Sequence, residues 1–251
     1  MNKQIYFISV IMLCIVLLSN AGYAKQTFFK IGVEAQKYYP QFDNENGVEY
    51  FGFARDILDM FAKEKHYQFV YIIRPVKRLF HDFVKRHVDF KYPDNPFWQS
   101  DMKKNQHVYY SDSVVKYIDG VVVLAENKAM LLSSFKTLGT IRGFTPYPYL
   151  DLIAQKKVML SENSNYISLL KQVLAGRITG AYSNISVARY NIKEHLKKTG
   201  AIVFNPILPH IKDSYYVSSI MHPTVIKEFN VFLKDKKEQI DQLKKKYKVG
   251  L

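Results

Sequence analysis

Short apolar runs with β character alternate along this chain with segments whose apolar residues recur every three or four positions, and that alternation restricts the fold most. Phe28-Phe29-Lys30-Ile31-Gly32-Val33 reads as a first strand. Between Phe53 and His66, the residues Ala54, Ile57, Leu58, Phe61 and Ala62 fall on one helical face. Tyr67 to Ile73 is a second strand, Arg78 to Arg86 carries Leu79, Phe83 and Val84 at helical spacing, and Val88 to Tyr92 is a third strand. Such an order builds an α/β sheet that offers ligand sites at the carboxyl ends of its strands. A continuous apolar strand, Gly120 to Ala125, then leads into polar, Lys-containing sequence.

The alternation resumes beyond it. Thr137 to Ile141 is a strand, followed by a turn and short helix from Arg142. A helix from Ser164 to Ala175 is capped by Ser164 and stopped by Gly176. A strand at Thr179 to Ser183, a helix to Lys198 and a strand at Ala201 to Phe204 follow. Tyr215 to Ile220 reads as a strand returning to the first half, and two helices end the chain. The first of these carries Val225, Ile226, Phe229, Phe232 and Leu233; the second carries Ile240, Leu243 and Tyr247, with a solvated Lys face at 244–246. Two lobes are expected, one from residues 25–118 and 213–251, the other from residues 119–212.

The first 24 residues have the layout of a secretory signal peptide. Lys3 supplies the positive start, Ile5 to Leu18 the apolar stretch and Ala21-Gly22-Tyr23-Ala24 the small-residue exit. The apolar stretch is short of the roughly 20 residues a bilayer span needs. Cys14 sits inside it rather than after small residues, which does not suit lipidation. Cleavage after Ala24 predicts an exported, periplasmic protein. It also removes the one cysteine, which excludes disulfides, thiolate chemistry and cysteine-zinc sites.

Basic residues outnumber acidic ones 36 to 22, a formal charge of +14. An exported chain without a recognised binding motif is not expected to meet nucleic acid, so the excess reads as surface charge favouring an anionic ligand or an acidic docking surface. His66, His81 and His87 lie on separate elements and make no metal cluster. No cofactor is expected.

Several pieces, taken in order, resemble the periplasmic solute-binding proteins of extracellular family 3, the polar amino acid group. Lys30-Ile31-Gly32-Val33 leading to Tyr39-Pro40-Gln41-Phe42 is similar to that family's opening strand and aromatic-proline loop. Gly52-Phe53-Ala54-Arg55-Asp56-Ile57-Leu58 resembles its Gly-Phe-x-x-Asp-Leu helix start. Val88-Asp89, Tyr110-Ser111-Asp112, Leu138 to Thr145 and Leu174-Ala175-Gly176-Arg177 match further pieces. The resemblance spans Phe28 to Tyr247. It implies a type II fold of two lobes, each a mixed sheet flanked by helices and joined by two crossing segments, with a ligand held between them.

The resemblance further implies a monomer that delivers a small polar solute, anionic or amino-acid-like, to an ABC-type membrane permease. Two departures stand out. The loop Pro93 to Lys104 lacks the Arg with which the family grips an α-carboxylate, and Lys103 or Lys104 lacks the fork geometry to replace it. Asn184 stands where the family has an Asp for the α-amino group.

The candidate ligand-binding residues are Tyr39, Arg74, Arg78, Asp94, Asn95, Trp98, Arg142, Phe144, Thr145 and Asn184. Tyr39 offers an aromatic wall, and Arg74 with Arg78 a cationic pair after the second strand. Trp98, the only tryptophan, offers a flat face beside Asp94 and Asn95. In Arg142-Gly143-Phe144-Thr145, backbone N–H groups at a helix start are suited to an anion. Asn184 follows a strand as a ligand contact or helix cap, and Tyr182 reads as core. Two other readings remain open. One is a dehydratase-type enzyme, for which Glu34, Asp94 and Asp101 are acid–base candidates without a compelling pair. The other is a ligand sensor acting on a membrane receptor.

Overall fold

The computed structural model describes residues 27–45 and 47–250, so the leader lies outside the described residues. The first half contains β1 (Thr27–Glu34), the hairpin β2 (Asp43–Glu45) and β3 (Glu49–Phe51), α1 (Phe53–Lys65), β4 (Tyr67–Arg74), α2 (Val76–Val84), β5 (Phe90–Asp94), α3 (Ser100–Lys103) and β6 (Tyr109–Tyr110). The second half contains β7 (Val115–Leu124), β8 (Thr137–Ile141), α4 (Leu150–Ala154), β9 (Met159–Asn163), α5 (Tyr166–Leu174), β10 (Gly180–Asn184), α6 (Ile185–Glu194) and β11 (Ile202–Phe204). The chain closes with β12 (Ile211–Ser219), α7 (Pro223–Asp235) and α8 (Lys237–Tyr247).

Two mixed sheets share one strand. In the first, β1 lies between β4 and β5, parallel to both, and β12 joins β5 antiparallel. In the second, β8 lies between β9 and β10, parallel to both, while β7 runs antiparallel to β10 and β11. The shared strand is β12: Ile211 to Tyr215 pair with Asp119 to Val115 of β7, then Tyr216 and Ser218 pair with Asp94 and Lys91 of β5 after a register shift. With β6 on β12 immediately before β7, the chain passes between the sheets twice at neighbouring points. The parallel strands read as apolar runs because helices cover the sheet faces, α1 and α2 on the first and α5 and α6 on the second.

Where structure and sequence reading differ, local chemistry explains it. The cap of α5 is Asn165, whose side chain accepts the Ser168 N–H, rather than Ser164, because a helix cap must sit one residue before the first helical turn. β9 escaped the pattern because it is an edge strand with exposed Met159 and Leu160, and no alternation marks it. β7 begins at Val115 and β12 at Ile211, earlier than their apolar stretches suggest, because strands passing between the sheets carry polar residues such as Lys116, Asp119 and Asp213. Among the described residues, no helix is long and apolar enough to cross a membrane.

Candidate functional site

The carboxyl ends of the parallel strands face one another across a cavity. From the first half come Glu34 at the end of β1, Tyr38 and Phe42 from the following loop, Val76 and Phe80 of α2, Pro93 of β5, and Trp98. From the second come Gly143, Phe144 and Thr145 after β8 and Tyr182 of β10, while Asp119 and Tyr215 stand on the two strands that join the sheets. The unfilled space totals about 430 Å³ including the solvent at its mouth, but only about 20 Å³ admits the centre of a water molecule. That is room for one or two waters.

The walls are largely aromatic. Tyr215 stacks on Tyr117 with ring centroids 4.2 Å apart, and Trp98 meets Tyr215 edge-on at 5.7 Å. Across the cavity Tyr38 packs against Phe42, Phe144 and Tyr166 at 5.3, 5.5 and 5.4 Å. The Tyr38 hydroxyl accepts the Asn184 N–H (3.1 Å), and the Asn184 amide donates to Tyr215 (3.1 Å). Burial pushes both phenols up, so they remain neutral.

Two carboxyl groups punctuate this apolar lining. Asp119 is pushed up to about 8, chiefly by burial; Asp213 and Glu34 raise it further, and the Asn184 amide opposes them. One of its oxygens is buried without a hydrogen-bond partner. Glu34 is pushed up to about 7 by burial, with Lys91 pulling it down and Asp94 pushing it up. Groups perturbed this far, facing a cavity, mark a candidate functional site.

Behind Glu34 and Trp98 lies a buried ionic layer. Asp94 is fully enclosed and stands 3.4 Å from both Lys91 and Lys103. Its other oxygen accepts the Ser218 hydroxyl (2.6 Å). Lys91 donates to the Pro93 carbonyl and rests 4.1 Å over the Phe80 ring, while Lys103 donates to the Asn95 carbonyl (2.7 Å) and to Tyr110 (2.8 Å). Burial lowers Lys103, with Asp94 opposing.

Of the residues singled out from sequence, Trp98, Phe144 and Thr145 line the cavity. Asp94 and Asn95 are buried behind it, Asn95 donating to Asp213 (2.8 Å) and the Ser214 carbonyl (3.2 Å). Asn184 caps α6 by accepting from Ser186 and Val187, and it fixes two wall tyrosines. The remaining four stand elsewhere. Arg74 and Arg78 close on Asp82 at 3.3 and 3.0 Å, Arg142 is exposed, and Tyr39 packs on Tyr190 in a separate outer groove. Sequence reasoning missed Tyr38 and Asp119 as wall residues; Tyr182, read as core, is buried in a hydrophobic cluster and also lines the cavity. Glu34 entered only as an acid–base candidate. The one local signal for Asp119 was an acid inside the otherwise apolar stretch Tyr117 to Val123.

The two halves touch at the cavity rim. Gln99 donates its backbone N–H to Thr145 Oγ1 (3.4 Å) and its amide to the Gly143 carbonyl (3.0 Å). Lys77 lies 3.6 Å from Glu162, and Phe97 meets Tyr147 at 5.1 Å.

This arrangement is the two-lobed periplasmic-binding-protein fold of type II, with a cavity between the lobes. No family model matches the chain, and no curated protein does. Solved structures do. An ancestral arginine-binding protein bound to arginine superposes with TM-score 0.71 at 15% identity, covering 88% of this chain and 98% of the other. The substrate-binding protein of an amino acid ABC transporter gives TM-score 0.68 at 20% identity over 88% and 98%. The ancestral amino acid-binding protein AncCDT-1, described as a precursor of cyclohexadienyl dehydratase, gives 0.68 at 18% identity over 88% and 95%. These likenesses match, at the level of fold, the family resemblance read from the motifs.

Proposed function

We propose that the protein is an exported, periplasmic solute-binding protein that closes two lobes on one small polar solute and presents it to an ABC-type permease. The lobes comprise residues 25–118 with 213–251, and 119–212, hinged where β12 changes sheets and where β6 gives way to β7. The observation that carries this reading is the composition of the cavity wall, drawn from both halves and from both connecting strands. A site built this way exists only when the lobes meet, so ligand binding and closure are one event. The space left inside is too small for a metabolite, so solute reaches it through an opened form.

Small-angle scattering tests the reading directly: a bound solute should reduce the radius of gyration, and a protein that never compacts with any solute fails it. Trp98→Ala is expected to abolish ligand-induced thermal stabilisation while leaving the circular dichroism spectrum intact, since it removes an aromatic wall worth about 1–3 kcal/mol of contact. Arg142→Ala, at an exposed position outside the lining, serves as its control.

Gly143 is a point of close approach between the halves. Its φ is +93°, and a Cβ there would stand 3.0 Å from Lys77 Cγ and 3.1 Å from the Lys77 backbone nitrogen. Gly143→Ala is therefore expected to hold the rim apart and weaken ligand affinity roughly tenfold or more without unfolding either lobe. Calorimetry beside scattering checks this; full affinity in a compact variant would contradict it.

A second reading has its own support. Glu34 and Asp119 both titrate near neutrality in one cavity, as an acid–base pair would, and one structural neighbour is described as a dehydratase precursor. Product formation from a bound solute would favour this enzyme reading over simple capture.

A further inference from the structure

Resting on the solute-binding reading above, we infer that the ligand is a small organic cation, an amine or a guanidine, that carries no carboxylate. The sign of the site is set by what lines it. Glu34 and Asp119 are its charged residues, and no Arg, Lys or His side chain is among the lining residues. The protein's excess of positive charge lies outside: Arg74 and Arg78 are drawn onto Asp82, and Arg142 points away.

Most of the backbone donors around the cavity that would suit an anion are committed. After β8, the N–H groups of Arg142, Gly143 and Phe144 donate to the Asn163 carbonyl, Glu162 Oε1 and the Ile141 carbonyl. At the start of α6, those of Ser186 and Val187 donate to the Asn184 side chain. The start of α2 packs against Gly143. A ligand carboxylate brought here would face two carboxyl groups and aromatic faces, with no Arg, Lys or His among the lining residues to pair with it.

What the cavity lacks is a donor of positive charge. Asp119 lines the space with one carboxyl oxygen buried and unpartnered, and of the side-chain atoms left so among the described residues it is the one that belongs to a carboxyl group. Glu34, by contrast, has Lys91 as a charge neighbour. The cationic head of the ligand therefore seats on Asp119, and Trp98, Tyr215 and Tyr38 supply faces whose π-systems attract an ammonium or guanidinium. Phe80, Val76 and Phe144 are the apolar faces that a ligand body would meet once the lobes reopen and close around it.

Matched pairs differing only in a carboxylate decide the matter: agmatine against arginine, putrescine against ornithine, tyramine against tyrosine, each measured by calorimetry and scattering on the full mature chain. At least one amine is expected to bind and compact the protein, and to do so roughly a hundredfold more tightly than its amino acid. Asp119→Asn should remove that binding while the variant stays folded by circular dichroism. Tighter binding of the amino acid in every pair that binds overturns the inference and leaves solute capture standing. So does closure by glutamate or succinate, amine binding that Asp119→Asn does not weaken, or no binding by any of the three amines at millimolar concentration. Failure to compact with amine, amino acid and dicarboxylate alike would count against solute capture itself.

Discussion

Raising the pH of the ligand-free protein from about 5 to about 9 is expected to open the cleft, seen as a growing radius of gyration. In the closed form Glu34 and Asp119 keep their protons up to about 7 and about 8, burial being the main cause for each. Exposed to water in an opened form, both carboxyls would ionise near pH 4. Between those limits the closed form binds more protons, so every rise in pH favours opening; below about 4 and above about 8 the balance no longer changes. For Asp119 a gap of roughly four pH units corresponds to about 5 kcal/mol. Opening relieves that strain more cheaply than unfolding, because it breaks the rim contacts of Gln99, Lys77 and Phe97 and the packing of Tyr38 on Phe144, Tyr166 and Asn184 while each lobe keeps its own sheet and core. Asp119→Asn should stay compact over most of the range, retaining only the smaller contribution of Glu34. A wild-type radius that does not change with pH would contradict the assignment of these two carboxyls. Above about pH 8, where the closed form has lost these protons, a bound cation would take their place, tying closure to ligand charge.

The second large effect concerns the ionic layer behind the site. Asp94→Ala should cost about 3–5 kcal/mol, because it leaves Lys91 and Lys103 buried with no carboxylate between them. Urea unfolding with an unchanged m-value would register this as a fall in midpoint. Replacing the ion group together, Asp94→Leu with Lys91→Met and Lys103→Met, should recover most of the loss, since apolar groups of similar volume carry no desolvation penalty. An Asp94→Ala variant as stable as wild type would show that the layer is hydrated rather than closed.

The same residues show how far the sequence could be read. Trp98, Phe144 and Thr145 were legible as wall residues because strand ends in an α/β sheet carry the loops that face ligand. Arg74 and Arg78 occupy an equivalent place yet serve another role. Asp82, four residues after Arg78, turns its carboxylate back along α2 and holds both guanidinium groups outside the cavity. Position along the chain predicted proximity for these two; a local ion pair determined direction. Of its two sequence readings Asn184 shows the cap: it caps α6, and it stands outside the lining, bracing two tyrosines of the wall.

The sequence by itself determined the order of the main strands and helices, the β8 boundaries at Thr137 and Ile141 and the α/β class, because hydrophobic period acts over a few neighbouring residues; the edge strand β9, the β2–β3 hairpin and the short β6 and α3 escaped it. Tertiary structure decided the charge of the site. Asp119 lies on a strand with no motif around it, and Glu34 and Tyr215 join it from distant parts of the chain. Enclosure by all three elements removes water from these carboxyls and raises their proton affinity. That desolvation arises only from assembled walls, and no local pattern of residues encodes it.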